Sequence, residues 1–206
     1  MNVSNRVNHK WDAKMIIEWT KHVTSAISKN DVVLVKQLLA LAEENGVLRD
    51  LMMHTDYFGC SVLHNAMDEG NLEVVNELLK SAGREHVKRD LVLLPDMCGN
   101  SCLSELLRAP CNHLHKNYLG VMQALLDVGG RDLVMMTNSY GNNCLHKAVK
   151  LRNLETVNLL LRYGGGDLTE NKNTHGISPL KRALEQQRQY GNTEIVDTLL
   201  CDITGR

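Results

Sequence analysis

Two stretches of the chain, Asp56 to Leu79 (DYFGCSVLHNAMDEGNLEVVNELL) and Asn138 to Leu161 (NSYGNNCLHKAVKLRNLETVNLLL), carry matching residues at matching offsets. In each, a glycine (Gly59, Gly141) precedes a leucine by four positions (Leu63, Leu145), a histidine by five (His64, His146), an alanine by seven (Ala66, Ala148) and a valine by sixteen (Val75, Val157). Agreement at five positions makes the two stretches copies of one unit. Internal repetition constrains the fold more than composition does, because a unit this short buries its apolar face only against a neighbouring copy.

Less regular copies lie on both sides. Ala26 stands nine before Val35 and thirteen before Leu39, as Ala66 stands before Val75 and Leu79, so a first unit is present without the turn glycine. Trp11 to Ser28 reads as a longer helix with Ile16, Val23 and Ile27 on one side, suited to cap a stack, with Trp19 closing its end. A third unit begins at Asp96, with Leu106 in place of the alanine and an insertion containing Pro110, which ends its first helix. A fifth begins at Asn173 and carries extra residues around Gln186 to Gln189. The chain thus divides into a polar N-terminal tail (1–10), a capping helix with a degenerate first unit (11–55), a second unit (56–95), a third with an inter-helix insertion (96–137), a fourth (138–172) and a fifth with a C-terminal cap (173–206).

Each unit reads as helix, turn, helix. Ser61, Ser101, Asn143 and Ser178 follow the turn glycines by two and are good N-caps, and Pro179 takes the first helical position, where its missing N–H costs nothing. Second helices begin after Asn71, Asn153 and Asn192, with Glu73, Glu155 and Glu194 near their positive ends. Gly129 and Gly164 are expected to stop the second helices of the third and fourth units. The Arg-Asp-Leu runs at Arg49, Arg89 and Arg131 lead into the fingers, and Leu51, Leu91, Leu133 and Leu168 seal those loops against the stack; the methionines beside them, Met52, Met53 and Met135, read as core filler ahead of contact surface.

Composition narrows the function. With 43% apolar and 23% charged residues the chain is expected to pack a core rather than stay disordered. A net charge of −1 without a block of basic residues argues against nucleic acid and anionic membranes as partners. The N-terminus is polar, without an apolar signal core or a spanning segment, so the expected setting is the cytoplasm, with the nucleus left open, and the six cysteines are free thiols.

The signature T-P-L-H-x-A, carried as Ser61-Val62-Leu63-His64-Asn65-Ala66, Asn143-Cys144-Leu145-His146-Lys147-Ala148 and Ser178-Pro179-Leu180, with Ser101-Cys102-Leu103-Ser104 as a poorer copy, resembles the ankyrin repeat. The resemblance covers roughly residues 20–202 and implies an all-α solenoid of about five helix-turn-helix units with β-turn fingers. Two departures stand out. The first unit has no turn glycine, and Leu51, Leu91, Leu133 and Leu168 stand eight residues before the glycines, one more than in the usual finger. The family implies a non-catalytic module that binds a protein on its concave face and finger tips, and a histidine at the His64 and His146 position that ties neighbouring turns together.

The tip residues, two before each glycine, are Tyr57 and Phe58, Met97 and Cys98, Ser139 and Tyr140, and Thr174 and His175. Three aromatics among them, in a chain with 4% aromatics, make Tyr57, Phe58, Met97, Tyr140 and His175 candidate partner contacts, with rings covering neighbouring fingers as the alternative. Lys147 and Lys150, with Lys181 and Arg182, are candidates for a basic edge of the concave face, ranked behind a solvated helix surface for most of them, because isolated exposed charges contribute little. Ser61 with His64 does not make a nucleophile and base, because the histidine recurs at His146 without a serine; no catalytic residue and no cofactor is expected. Cys98, Cys102, Cys111, His113 and His115 form a weaker alternative as a zinc site, ranked behind free thiols because the spacing matches no common zinc module. The expected protein is a monomer binding another polypeptide. The alternative is an assembly or regulatory segment that self-associates through the apolar last helix (Ile195, Val196, Leu199, Leu200, Cys201), or serves an enzyme domain on another segment.

Overall fold

The computed structural model describes residues 13–108 and 117–204. Trp11, Pro110, Cys111, His113 and His115 lie outside the described residues, so the expectations resting on them stay with the sequence.

The first unit comprises α1 (Ala13–Ser28), α2 (Val32–Glu44) and a short α3 (Leu48–Met53); the second, α4 (Val62–Glu69), α5 (Leu72–Arg84) and α6 (Lys88–Leu93). They are followed by α7 (Cys102–Leu106), α8 (Tyr118–Met135), α9 (Cys144–Lys150), α10 (Leu154–Gly164), α11 (Gly166–Glu170), α12 (Pro179–Tyr190) and α13 (Glu194–Thr204). Packing follows the repeat. An inner row runs α1, α4, α7, α9, α12 and an outer row α2, α5, α8, α10, α13, each helix touching its counterpart in the next unit. Among the described residues there is no strand, and the chain is an all-α repeat solenoid.

The helices start where the caps place them. Ser101, Asn143 and Ser178 accept from the backbone N–H three residues on, at 3.2, 3.0 and 3.2 Å, and Ser61 does so more loosely from His64. Asp31, Asn71 and Asn153 cap α2, α5 and α10 in the same way. Leu63, Leu103 and Leu145 are wholly buried on the inner row, and Val35, Val75 and Val157 on the outer row. Each such side chain contributes about 1.5–3 kcal/mol on leaving water. The core runs without a break from Val23 to Leu199. Trp19 is half-buried against α2 and donates through Nε1 to the Leu38 carbonyl at 3.3 Å. The extra residues near Gln186 lengthen α12. Ile195, Val196 and Leu199 of α13 are buried, whereas Leu200 and Cys201 are exposed.

Two expectations change. The Arg-Asp-Leu runs are not loops leading into the fingers but form a third, short helix in each of the first four units: α3, α6, the tail of α8 (131–135) and, at Gly166-Asp167-Leu168, α11. Leu51, Leu91, Leu133 and Leu168 are buried on these helices as expected, and Met52 with them, whereas Met53 and Met135 are half-buried. Gly129 and Gly164 are the last residues before the breaks rather than the breaks themselves. The backbone turns at Gly130 (φ 56°) and Gly165 (φ 65°), in the left-handed region that glycine favours. The preceding glycines are required by closeness instead. A Cβ on Gly129 would lie 2.5 Å from Leu133 Cβ, and one on Gly164 would lie 2.6 Å from Leu168 Cδ2.

Successive units are also pinned by arginine. Arg49 donates to the Glu85 carbonyl at 3.2 Å, and Arg89 to the Val128 carbonyl at 3.0 Å while pairing with Asp132. Arg131 repeats this on the Gly164 carbonyl and Asp167. Each guanidinium thus satisfies a carbonyl near the end of the next outer helix, where positive charge is favoured.

Candidate functional site

The fingers are held by backbone and by one side chain each. In the first, Asp56 Oδ1 accepts from the N–H groups of Phe58 (2.8 Å) and Cys60 (2.9 Å); Asp96 does the same for Cys98 and Asn100, Asn138 for Tyr140 and Asn142, and Asn173 for His175 and Ile177. Neighbouring fingers then join by single backbone bonds: Met97 N to Phe58 O, Ser139 N to Cys98 O and Thr174 N to Tyr140 O, at 2.8–3.0 Å. Gly59 is held to this ladder by space as well as by its φ of 78°, since a Cβ there would lie 2.6 Å from Met97 N. The aspartate or asparagine three before each glycine is the signal that sequence reading left without a role.

Because the carboxylate or amide oxygen holds the turn, the tip side chains are not needed to hold it. Tyr57 is 87% exposed, Phe58 60%, Met97 64% and Tyr140 61%. Tyr57 and Phe58 meet edge to face, centroids 5.5 Å apart, and neither ring is covered by the next finger. Cys98 and His175 are exposed as well.

Behind the tips the histidines stitch unit to unit. His64 Nδ1 accepts from Ser61 N at 3.3 Å and lies 3.0 Å from Ser61 Oγ, while Nε2 faces the Asn100 carbonyl of the next unit at 3.4 Å. His146 Nδ1 lies 3.2 Å from Asn143 N and 2.7 Å from Asn143 Oδ1, while Nε2 faces the Ile177 carbonyl at 2.9 Å. Facing a carbonyl, which only accepts, Nε2 is the donor in both rings. Burial pushes both imidazoles below their ordinary value, against the opposing pull of the carbonyl bonds. The Ser61 and His64 pair is therefore spent on a cap and an inter-unit tie.

The residue between each histidine position and each alanine position is Asn65, Glu105, Lys147 or Arg182, and these lie in one row on the inner helices, neutral, then acidic, then twice basic along the stack. Lys147 is half-buried, not a solvated surface lysine. It donates to the Ser104 carbonyl at 3.0 Å and toward Asn100 Oδ1 at 3.4 Å, and burial pushes its ammonium below the usual lysine value, with Glu105 opposing. Lys150 and Lys181 are exposed. Glu105 is buried, pairs through Oε2 with Arg108 at 3.1 Å, and is held above the ordinary carboxylate value by burial, with Lys147 and Arg108 opposing. It lines a groove of about 410 Å³ between the first two fingers, with Phe58 and Met97 at its mouth. A second groove of about 400 Å³ lies between α1 and the first finger, with Ile17 and Tyr57 among its walls. Glu105 was missed because burial of a charged inner-helix residue depends on the neighbouring unit. The change of charge at one repeat position was the available signal.

Cys102 and Cys144 occupy equivalent core positions, their thiols donating to the Val92 and Val134 carbonyls at 3.4 Å, and burial pushes both up to about 12. Cys98 sits exposed on a tip, in a different environment from Cys102. Among the described residues no group of three or more His, Cys, Asp or Glu side chains is placed to hold a metal. Among the described residues no helix is long and apolar enough to cross a membrane.

Paired inner and outer helices, capped turns and a ladder of fingers define a stacked-repeat scaffold whose long surface suits a macromolecule better than a small substrate. The family model for ankyrin repeats matches residues 99–206 in three copies, just over half of the chain, and the chain belongs to the ankyrin repeat family. That family generally mediates protein–protein interaction and is typically non-catalytic. No curated protein matches the chain.

Proposed function

We propose that this chain is a non-catalytic interaction module that seats another polypeptide on its concave face and finger tips, working as a cytoplasmic monomer without cofactor. The observation that carries this reading is the exposure of Tyr57, Phe58, Met97 and Tyr140 on fingers whose backbones are already satisfied. Rings that are free in the unbound protein and mounted on a rigid ladder lose little conformational freedom on binding, which favours them as anchors. Lys150 and His175, both exposed, extend the surface toward the fifth unit, and Lys147 contributes charge from a fixed position. Self-association through α13 has less support, since Ile195, Val196 and Leu199 are already buried and the helix packs on α10, α11 and α12.

The test is the triple substitution Tyr57→Ala, Phe58→Ala, Tyr140→Ala. A partner recovered from the native cell and verified with purified components should bind the triple variant at least about 30-fold more weakly by titration calorimetry, the loss of a single hot spot or more. The melting curve should barely move, because exposed side chains contribute little to folding. Full affinity in the triple variant refutes the assignment.

A further inference from the structure

The groove between the first two fingers contains a carboxylate with an unused acceptor. Glu105 lies on α7 and is 7% exposed. Its Oε2 is paired with Arg108, a side chain that is itself 70% exposed, whereas Oε1 is sealed from solvent and has no hydrogen-bond partner among the described residues. Lys147, a neighbouring cation, donates to the Ser104 carbonyl instead. A buried carboxylate oxygen left unpaired is costly, and such an atom in a native protein calls for an explanation.

The surroundings suggest what completes it. Asp68 is exposed on the groove wall, and Asp56 and Asp96 line its finger side, so the described residues lining the groove bring four carboxylates against one guanidinium, that of Arg108. Phe58 and Met97 stand at the mouth and offer apolar surface and a ring face. A long side chain with an apolar stem and a cationic head matches all three features: the stem against the thioether and ring, the charge near the ring face, and an N–H donated to a desolvated carboxylate.

We propose that this groove is a specificity pocket for one lysine or arginine side chain of a bound polypeptide, with Glu105 rotating its carboxylate so that Oε1, sealed in the unbound chain, accepts the hydrogen bond. The pocket rests on the concave-face reading above and adds a chemical requirement on the partner. Glu105 is then kept charged at a cost to folding. Its carboxyl is raised, so the folded protein takes up its proton more readily than the unfolded chain. The stability from that proton is present below the ordinary value of 4.5 and is lost as the pH rises through the folded value, leaving the ionised group a burden at neutral pH.

The probe is a phage-displayed library of random dodecapeptides selected on the full chain. The tightest peptide is resynthesised with each lysine or arginine replaced in turn by norleucine, and affinities are measured for the wild type, Glu105→Gln and Asp68→Asn. One cationic position is expected to lose about tenfold or more on replacement against the wild type but less than about twofold against Glu105→Gln, the coupling of a directly contacting charge pair. Asp68→Asn, on the exposed wall, is expected to weaken binding about two- to fivefold, and less in high salt. Glu105→Gln should melt no lower than the wild type at pH 7. Should it melt early, the norleucine series on the wild type and Asp68→Asn still decides.

Selected peptides without a sensitive cationic position, or a cationic peptide bound equally by Glu105→Gln, overturn the pocket. If those peptides lose affinity for the triple tip variant, the concave-face reading stands without it. Peptides indifferent to both sets of changes, or a library that returns no binder, overturn both. A dimer in sedimentation that Glu105→Gln dissolves would make a second copy of the chain the occupant and overturn the assignment to a foreign polypeptide.

Discussion

Gly129→Ala and Gly83→Ala make the same chemical change in the outer helices of adjacent units and are expected to act in opposite directions. Both residues are helical, so both gain about 0.5–1 kcal/mol from the lower backbone entropy of alanine. At Gly83 the new Cβ meets only Lys88 Cδ at 3.8 Å, an ordinary contact with a movable side chain. At Gly129 it lies 2.5 Å from Leu133 Cβ, 2.9 Å from Leu133 Cδ2 and 3.1 Å from Val92 Cγ1. A Cβ has no rotamer to change, so the tail of α8 has to move and the contact with α6 loosens. Overpacking of this kind costs about 1–3 kcal/mol, and three short contacts at once place it at about 2–3 kcal/mol, leaving a net loss of about 1–2.5 kcal/mol after the helix gain. For a chain of this length 1 kcal/mol shifts the midpoint by about 2–4 °C, so Gly129→Ala should melt about 2–10 °C lower and Gly83→Ala about 1–4 °C higher. Circular dichroism melts, repeated in urea to check that the slope is unchanged, read both. If Gly129→Ala melts with or above Gly83→Ala, close approach is not what requires glycine at that position.

Two further outcomes follow from burial. His64 and His146 titrate below the ordinary imidazole value of 6.5, so their contribution to stability is complete above that pH and is lost as pH falls through the folded values; the His64→Gln, His146→Gln double variant should show a smaller drop in melting temperature between pH 7.5 and 5.5 than the wild type, and an equal drop refutes this. Taking the difference between the two proteins cancels Glu105 and Asp202, whose raised carboxyls act in the opposite sense. For the thiols, a maleimide at pH 7.5 followed by peptide mapping should label exposed Cys98 and Cys201 first, Cys60 more slowly because burial pushes it up to about 11, and Cys102 and Cys144 only on unfolding; early labelling of Cys102 would contradict its sealed position.

What was legible in the sequence was whatever repeats and acts locally. The caps at Ser61, Ser101, Asn143 and Ser178 work within one turn of helix, and their roles can be read from neighbouring residues alone. The exposure of Tyr57, Phe58 and Tyr140 agrees with their place at the turn, and the inter-unit bonds of His64 and His146 agree with what the family resemblance implied. The third helices escaped notice because six residues are under two turns and show no apolar period. Gly129 was misread because the contact that requires it comes from Leu133 folding back across a break whose geometry the sequence does not encode separately. Lys147 and Glu105 escaped for another reason: their burial is created by the adjoining unit, so the same residue type on an isolated helix would be solvated.

The arginine pins have a consequence for how such an array grows. The third unit carries both halves of the connector: Arg131, which reaches forward to Asp167, and Asp132, which receives Arg89 from the unit before. A copy of that unit duplicated in frame would arrive ready to couple at either junction without redesign. At Gly166 the arginine is replaced, and the transplantable joint gives way to one made by packing of α11 on α13, where a Cβ on Gly166 would meet Ile203 Cα at an ordinary 3.6 Å.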